Sequence, residues 1–120
     1  MNVMVAAVGL AAAFVGGYAI AGDGNELLSS CQQAINHMES RGPSNADVGY
    51  CYGLVNGVGN TMVTMNAYLL KGERTCFPAG MRNDQGARIV AKYLEEHPAS
   101  LHRDGAFLAM AAFQNAYPCK

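Results

Sequence analysis

Apolar positions fall into five stretches along the chain, and they differ in kind. From Val3 to Ala21 the run is apolar throughout, broken only by glycines, and no acidic or basic side chain precedes Asp23. The other four mix apolar and polar residues at a helical period. Leu27, Leu28, Cys31, Ile35 and Met38 form one stripe, which predicts a helix from about Asn25 to Met38. Glu26 suits the positive N-terminal end of that helix. Arg41-Gly42-Pro43-Ser44-Asn45 reads as a loop. A second helix is predicted from about Ala46 to Leu70, with Cys51, Leu54, Val55, Val58, Met62, Met65 and Leu69 turned inward. Gly53 and Gly57 lie one turn apart on it. They predict the close approach of another helix, because a phosphate-cradling loop would need a preceding strand and a third glycine in register.

A turn-rich connection, Cys76-Phe77-Pro78-Ala79-Gly80, leads to the third helix. This helix is expected to start at Asn83 as its cap and to end at His97, because Pro98 blocks continuation. Ile89, Val90, Tyr93 and Leu94 would be buried, with Arg88, Lys92, Glu95 and Glu96 on the solvated face. The fourth helix is predicted from about Arg103 to Ala116, stopped by Pro118. Its centre, Ala106 to Phe113, is apolar at every position, so it should be enclosed on all sides by its own domain or by a partner subunit. No segment alternates as a strand would. The fold class is therefore all-α: a small four-helix domain over residues 22–120, behind a leader at residues 1–21.

Composition sharpens the division between leader and domain. The chain is 51% hydrophobic and only 14% charged, but 17 of its first 21 residues are apolar and every charged side chain lies beyond them. The remaining 99 residues make one small domain, too short for a multi-domain enzyme. A net charge of −1 and a pI near 6.2 exclude a basic nucleic-acid binder. The leader is long enough for a secretory signal or a single membrane span. Richness in Ala and Gly, the small-x-small end Ala19-Ile20-Ala21 and the polar break Gly22-Asp23-Gly24-Asn25 favour a cleaved signal peptide. The lack of Lys or Arg before the apolar run argues the other way. The expectation is export to the periplasm, with membrane contact only if the leader is retained as an anchor.

Cysteine usage agrees with export. The four cysteines, Cys31, Cys51, Cys76 and Cys119, all lie in the domain and read as two disulfides formed in an oxidising compartment. There is no C-x-x-C pair, and the spacings match no compact zinc pattern. Pairing Cys31 with Cys51 and Cys76 with Cys119 would tie the ends of two helical hairpins, each contributing roughly 3–4 kcal/mol by loop closure; the other two connectivities remain open. Nothing else amounts to catalytic machinery or a cofactor site. With the cysteines paired, His37, His97 and His102 have no thiolate partner. Ser29 and Ser30 lack a glycine-flanked elbow. Glu95 and Glu96 are adjacent and diverge around the helix. Tyr50 and Tyr52 flank Cys51 and read as packing around a disulfide. The chain reads as a binder and not an enzyme.

Several of these residues form a recognisable pattern. Cys51-x-Gly53-x-x-x-Gly57, Cys76-Phe77-Pro78-x-Gly80, the run from Ile89 to Pro98, Leu101-His102 and the closing Ala116-Tyr117-Pro118-Cys119 resemble the Tai/Rap immunity protein family. The resemblance covers about residues 25 to 119. It implies an all-helical periplasmic protein, commonly a homodimer, that binds and inhibits a peptidoglycan amidase toxin delivered by type VI secretion. Inhibition of this kind works by occluding the enzyme's cleft, and the exposed candidates for contact are Arg41 and Ser44 in one loop and Lys71, Glu73 and Arg74 in another. The alternative function is a small periplasmic stress or acid chaperone without a dedicated partner. Dimerisation is also expected from the apolar fourth helix and the Met62/Met65 stripe.

Overall fold

The computed structural model describes residues 22–120. The leader, with its Ala19-Ile20-Ala21 motif, lies outside the described residues. Four helices follow one another: α1 (Gly24–Ser40), α2 (Ala46–Met65), α3 (Asn83–Glu96) and α4 (Gly105–Ala116), with single 3-10 turns at Asn66–Tyr68, Lys71–Glu73 and Pro98–Ser100. The expected all-α, four-helix domain with two disulfides is what forms, and among the described residues there is no strand beyond two isolated bridges, Asp23 with Asp104 and Thr75 with Pro118.

Side-chain caps set the helix starts. The Asp23 carboxylate accepts from the Glu26 amide (3.0 Å), Asn45 Oδ1 from the Val48 amide (3.0 Å) and Asp104 Oδ1 from the Phe107 amide (2.9 Å). The first helix extends beyond the expected Met38 until Arg41, whose left-handed backbone (φ 52°) lets its N–H return to the His37 carbonyl at 2.9 Å. Asn83 proves to be the first residue of α3 and not its cap; Arg82 occupies the cap position and pairs with Asp84 at 2.9 Å.

The core sits where α1 meets α2, α3 and α4. Leu27, Cys31, Val55, Val90, Leu94, Leu108 and Phe113 are buried, and the gaps between them are filled by Ala34, Ala87, Ala91, Ala109 and Ala112. So many small residues allow helices to pack closely, and the N-terminal ends of α1 and α4 also meet closely through glycines. A Cβ on Gly24 would meet Leu108 Cδ1 at 2.5 Å, and one on Gly105 would meet the Gly22 carbonyl oxygen at 2.6 Å. That contact is sewn by backbone bonds, Gly24 N–H to the Arg103 carbonyl (2.9 Å) and Gly105 N–H to the Gly22 carbonyl (2.9 Å). Ser30 is fully buried and donates to Asp47 (3.1 Å), so it links α1 to α2 and does not lie on a solvated face. Phe77 packs edge-on to Phe113, with ring centroids 5.1 Å apart.

The disulfides are Cys31–Cys51 and Cys76–Cys119, each with Cα atoms 5.0 Å apart. These are the hairpin-tying pairs favoured by the helix layout. The first joins α1 to α2 within the core; the second joins the segment before α3 to the one after α4.

Three expectations about α2 and α4 need correction. Helix α2 stops at Met65, five residues short of Leu70, and Met65 is exposed. Gly53 and Gly57 accept no neighbouring helix: a Cβ on either would have nothing within 4 Å. Nor is α4 enclosed on all sides by this domain, because Phe107 and Met110 remain 46% and 48% exposed. The periodicity was right and the burial was not, since one face of each helix is left without cover.

Phe113→Ala should lower stability by about 3–5 kcal/mol, the usual cost of emptying a buried phenylalanine site. Phe107→Ala on the same helix should cost under about 1 kcal/mol in the monomeric chain, because its ring is half-exposed. Urea midpoints for the two variants would check this, and equal shifts would contradict the assigned burial.

Candidate protein-binding face

The segment from Asn66 to Thr75 leaves α2 and is fastened at nearly every point where a loop could give. Asn66, which ends α2, turns its amide onto Thr75: Nδ2 donates to the Thr75 carbonyl (2.7 Å), and Oδ1 accepts from the Thr75 N–H (3.1 Å). This closes the segment into a ring. Inside it, Arg74 Nε donates to the Leu69 carbonyl (2.8 Å), and Glu73 Oε2 accepts from the Leu70 N–H (3.2 Å). From α4, Gln114 Nε2 donates to the Glu73 carbonyl (3.1 Å). The base is held by Cys76 N–H to the Tyr117 carbonyl (2.8 Å), Cys119 N–H to the Arg74 carbonyl (3.2 Å) and the Cys76–Cys119 disulfide. Such a segment loses little freedom on contact with a partner, which favours affinity.

Two large apolar side chains stand outward from it. Tyr68 and Leu70 are 79% and 76% exposed, the most of any large hydrophobic residues described, and Lys71 stands beside them. Glu73 and Arg74 were expected to offer charges to a partner, but both are engaged with the loop's own backbone. Lys71 has no ion pair among the described residues. Arg41 and Ser44 are exposed in the turn between α1 and α2, Arg41 serving as the α1 cap. They begin α2 where the other loop ends it, and a 20-residue helix is about 30 Å long. The structure therefore does not gather the five candidate residues into one patch.

Tyr68 and Leu70 were missed because the apolar period runs on through Ala67, Tyr68, Leu69 and Leu70 as though the helix continued. Asn66 was the available signal, since its short amide competes for backbone partners.

Beside the loop, α2 and α4 enclose an open groove of about 450 Å³ lined by Gly53, Gly57, Val58, Met65, Leu69 and Met110. The backbone of α2 forms one wall where the glycines leave it bare. Tyr52, on α2, is half-buried against the core, and its phenol is pushed up, chiefly by burial and then by the Asp84 carboxylate. No group of three or more His, Cys, Asp or Glu side chains among the described residues is arranged to hold a metal ion. No described helix is long and apolar enough to cross a membrane.

The model of the Rap1a immunity proteins matches residues 23–119, from the cap of α1 to the last cysteine. The chain belongs to the Rap1a immunity protein family. Neither the curated proteins nor the solved structures include a match. The family points to an immunity protein against a secreted toxin, a non-enzymatic inhibitor whose partner is a protein.

Asn66→Ala should expose the importance of the clamp. It leaves the Thr75 N–H and carbonyl without partners in a residue only 2% exposed, at a cost of about 1–3 kcal/mol. Hydrogen exchange should accelerate in residues 67–75 while α1 and α3 stay protected; unchanged exchange in that segment would show that the clamp is dispensable.

Proposed function

We propose that this chain is an exported, periplasmic immunity protein that silences a peptidoglycan-cleaving amidase toxin delivered by type VI secretion, by seating the 66–75 loop in the toxin's active-site cleft. The carrying observation is the loop itself, rigid in its backbone yet apolar at its tip. Exposed large apolar side chains on a monomer's surface mark contact sites when they cluster. Tyr68 and Leu70 are followed at once by a basic side chain, Lys71, in a protein whose charge is otherwise nearly balanced. An aromatic anchor with few rotatable bonds, held on a fixed backbone, is the arrangement that dominates protein interfaces. Occlusion requires no chemistry from the inhibitor. Export follows from the leader of residues 1–21, removed after Ala21, and agrees with two disulfides in so small a domain.

The groove between α2 and α4 is the second part of this reading. We place a second copy of the chain there, which would cover Met65, Phe107 and Met110 and use the flat Gly53/Gly57 wall for close helix contact. The two sites adjoin through Leu69 and Glu73, which line the groove and belong to the loop. A dimer would thus hold a binding loop at each flank of its seam.

Co-expression with a periplasmic peptidoglycan amidase toxin of this class should restore growth, and rescue by no such toxin would remove the reading. Tyr68→Ala should weaken the complex by about 30-fold or more, the loss expected of an interface anchor. Arg41→Ala, at the opposite end of α2, should change binding less than threefold. An unaltered affinity for Tyr68→Ala would remove the loop from the interface.

Light scattering should give twice the chain mass for the natural protein and the single chain mass for Met110→Glu, which puts a charge into the groove. A monomeric natural protein would dismiss the seam.

A further inference from the structure

The first residues of the domain are among its most firmly held. Gly22 gives its carbonyl to the Gly105 N–H (2.9 Å), Gly24 its N–H to Arg103, and Asn25 is bound to the Leu101 carbonyl through both its backbone N–H (3.2 Å) and its side-chain Nδ2 (3.1 Å). Gly22 is also the residue that follows Ala21, where the small-x-small pattern of the leader ends. Cleavage there turns the Gly22 nitrogen from a neutral amide into an ammonium.

That nitrogen would emerge among carboxylates. The Glu26 carboxylate occupies the place where a Cβ on Gly22 would stand. The Gly22 nitrogen shares the same Cα, so ordinary bond lengths keep it within about 4 Å of that carboxylate, which is ion-pair range. Asp23 and Asp104 are nearby, but each already spends an oxygen on a helix cap. Glu26 has no side-chain hydrogen bond or ion pair among the described residues.

A second group faces the same spot from α2. The Tyr50 hydroxyl is buried without a hydrogen-bond partner among the described residues. Burial is the largest reason its phenol is pushed up, followed by the Glu26 carboxylate, while the Gly22 backbone works in the opposite sense and Asp104 and Asp23 add to the rise. The nearby cations are already placed elsewhere or weakly felt. Arg103 lies over the Phe107 ring at 4.2 Å, and His102 is the smallest of the influences that lower Asp23, whose amide bond from Glu26 comes first. The positive ends of α1 and α4 offset about one unit of charge between them, against three carboxylates. The site is short of positive charge.

We propose that the amine released by cleavage after Ala21 is a structural group: as the Gly22 ammonium it pairs with Glu26, donates to the Tyr50 hydroxyl oxygen, and completes the α1–α4 junction. The inference rests on the export reading above, since only a processed chain has this amine. The bond broken is the Ala21–Gly22 peptide, with water supplying the new carboxylate on the leader and the protons of the amine. A precursor carries the same four helices and keeps the Gly22 amide beside Tyr50, but it has no charge there to pair with Glu26.

Its pH dependence has a definite sign. An ammonium stabilised in the folded state has a raised pKa, so its contribution is complete below the ordinary α-amino value of about 7.7–8.0 and is lost as pH rises through the folded value. The charged or titratable groups that face this amine are Glu26 and Asp23 at the start of α1, Tyr50 on α2, and His102, Arg103 and Asp104 just before α4.

The test uses residues 22–120, which hold the entire described core and both disulfides, released from a fusion so that Gly22 carries a free amine. NMR titration should place that amine above about 8.5, and Glu26→Gln should return it to the ordinary range of about 7.7–8.0. At pH 7, acetylating the amine should lower the melting temperature by about 2–4 °C in the natural sequence and by less than half as much in Glu26→Gln. An amine that titrates normally, one unmoved by Glu26→Gln, or an equal acetylation effect in both chains would overturn the proposal. Processing is read separately, from the intact mass of the exported protein. A terminus other than Gly22 would refute leader removal after Ala21 while leaving the ion pair of the 22–120 chain as measured.

Discussion

The closing of the chain by Cys76–Cys119 is the constraint on which the rest of the arrangement turns, because three separate pieces meet at that bond. The 66–75 loop ends immediately before Cys76, the connection at residues 77–82 leads from it into α3, and Cys119 follows the end of α4. Flanking hydrogen bonds run both ways across the link, from Cys76 to Tyr117 and from Cys119 to Arg74. In a domain with few large core side chains, a cross-link of this span offsets a substantial part of the chain entropy lost on folding. It also fixes the platform from which Tyr68 and Leu70 project.

The two sides of the molecule differ in how much apolar surface they cover. Helices α1 and α3 spend their apolar stripes inside, and their outer faces are joined by ordinary polar contacts such as Arg88 with Glu39 at 3.2 Å. Those surface pairs contribute little. On the opposite side α2 and α4 keep apolar area in solvent, at a cost in solubility that a chain with no need of partners would not bear. The loop continues this uncovered side, so the apolar surface is contiguous where the protein is rigid.

Much of this was legible from residue spacing. The four helices and their stops at Pro98 and Pro118 follow from local chemistry that acts over one turn, although the cap expected at Asn83 falls at Arg82. The cysteine pairing was readable because hairpin geometry brings consecutive cysteines together. Where the reading failed, the outcome depended on something a period cannot carry. A stripe says which residues share a face, but not whether another element arrives to cover it, so Gly53, Gly57, Met65 and Met110 were assigned neighbours that the domain does not provide. Likewise Asn66 ends α2 by bonding to Thr75, nine residues away, after a run whose apolar period gives no reason to stop. The bonds that Glu73 and Arg74 make to the loop's own backbone were likewise out of sight, because they depend on the path of the loop.

The order of the two cross-links along the chain carries a consequence for how the protein is made. The loops closed by Cys31–Cys51 and Cys76–Cys119 neither overlap nor nest. A chain threaded N-terminus first into an oxidising compartment presents Cys31 and Cys51 while the last two cysteines are still behind. An oxidant that joins each cysteine to the next one to arrive therefore makes only the native bonds. For an exported chain, pairing in order of arrival would thus require an oxidase and no shuffling of mispaired sulfurs.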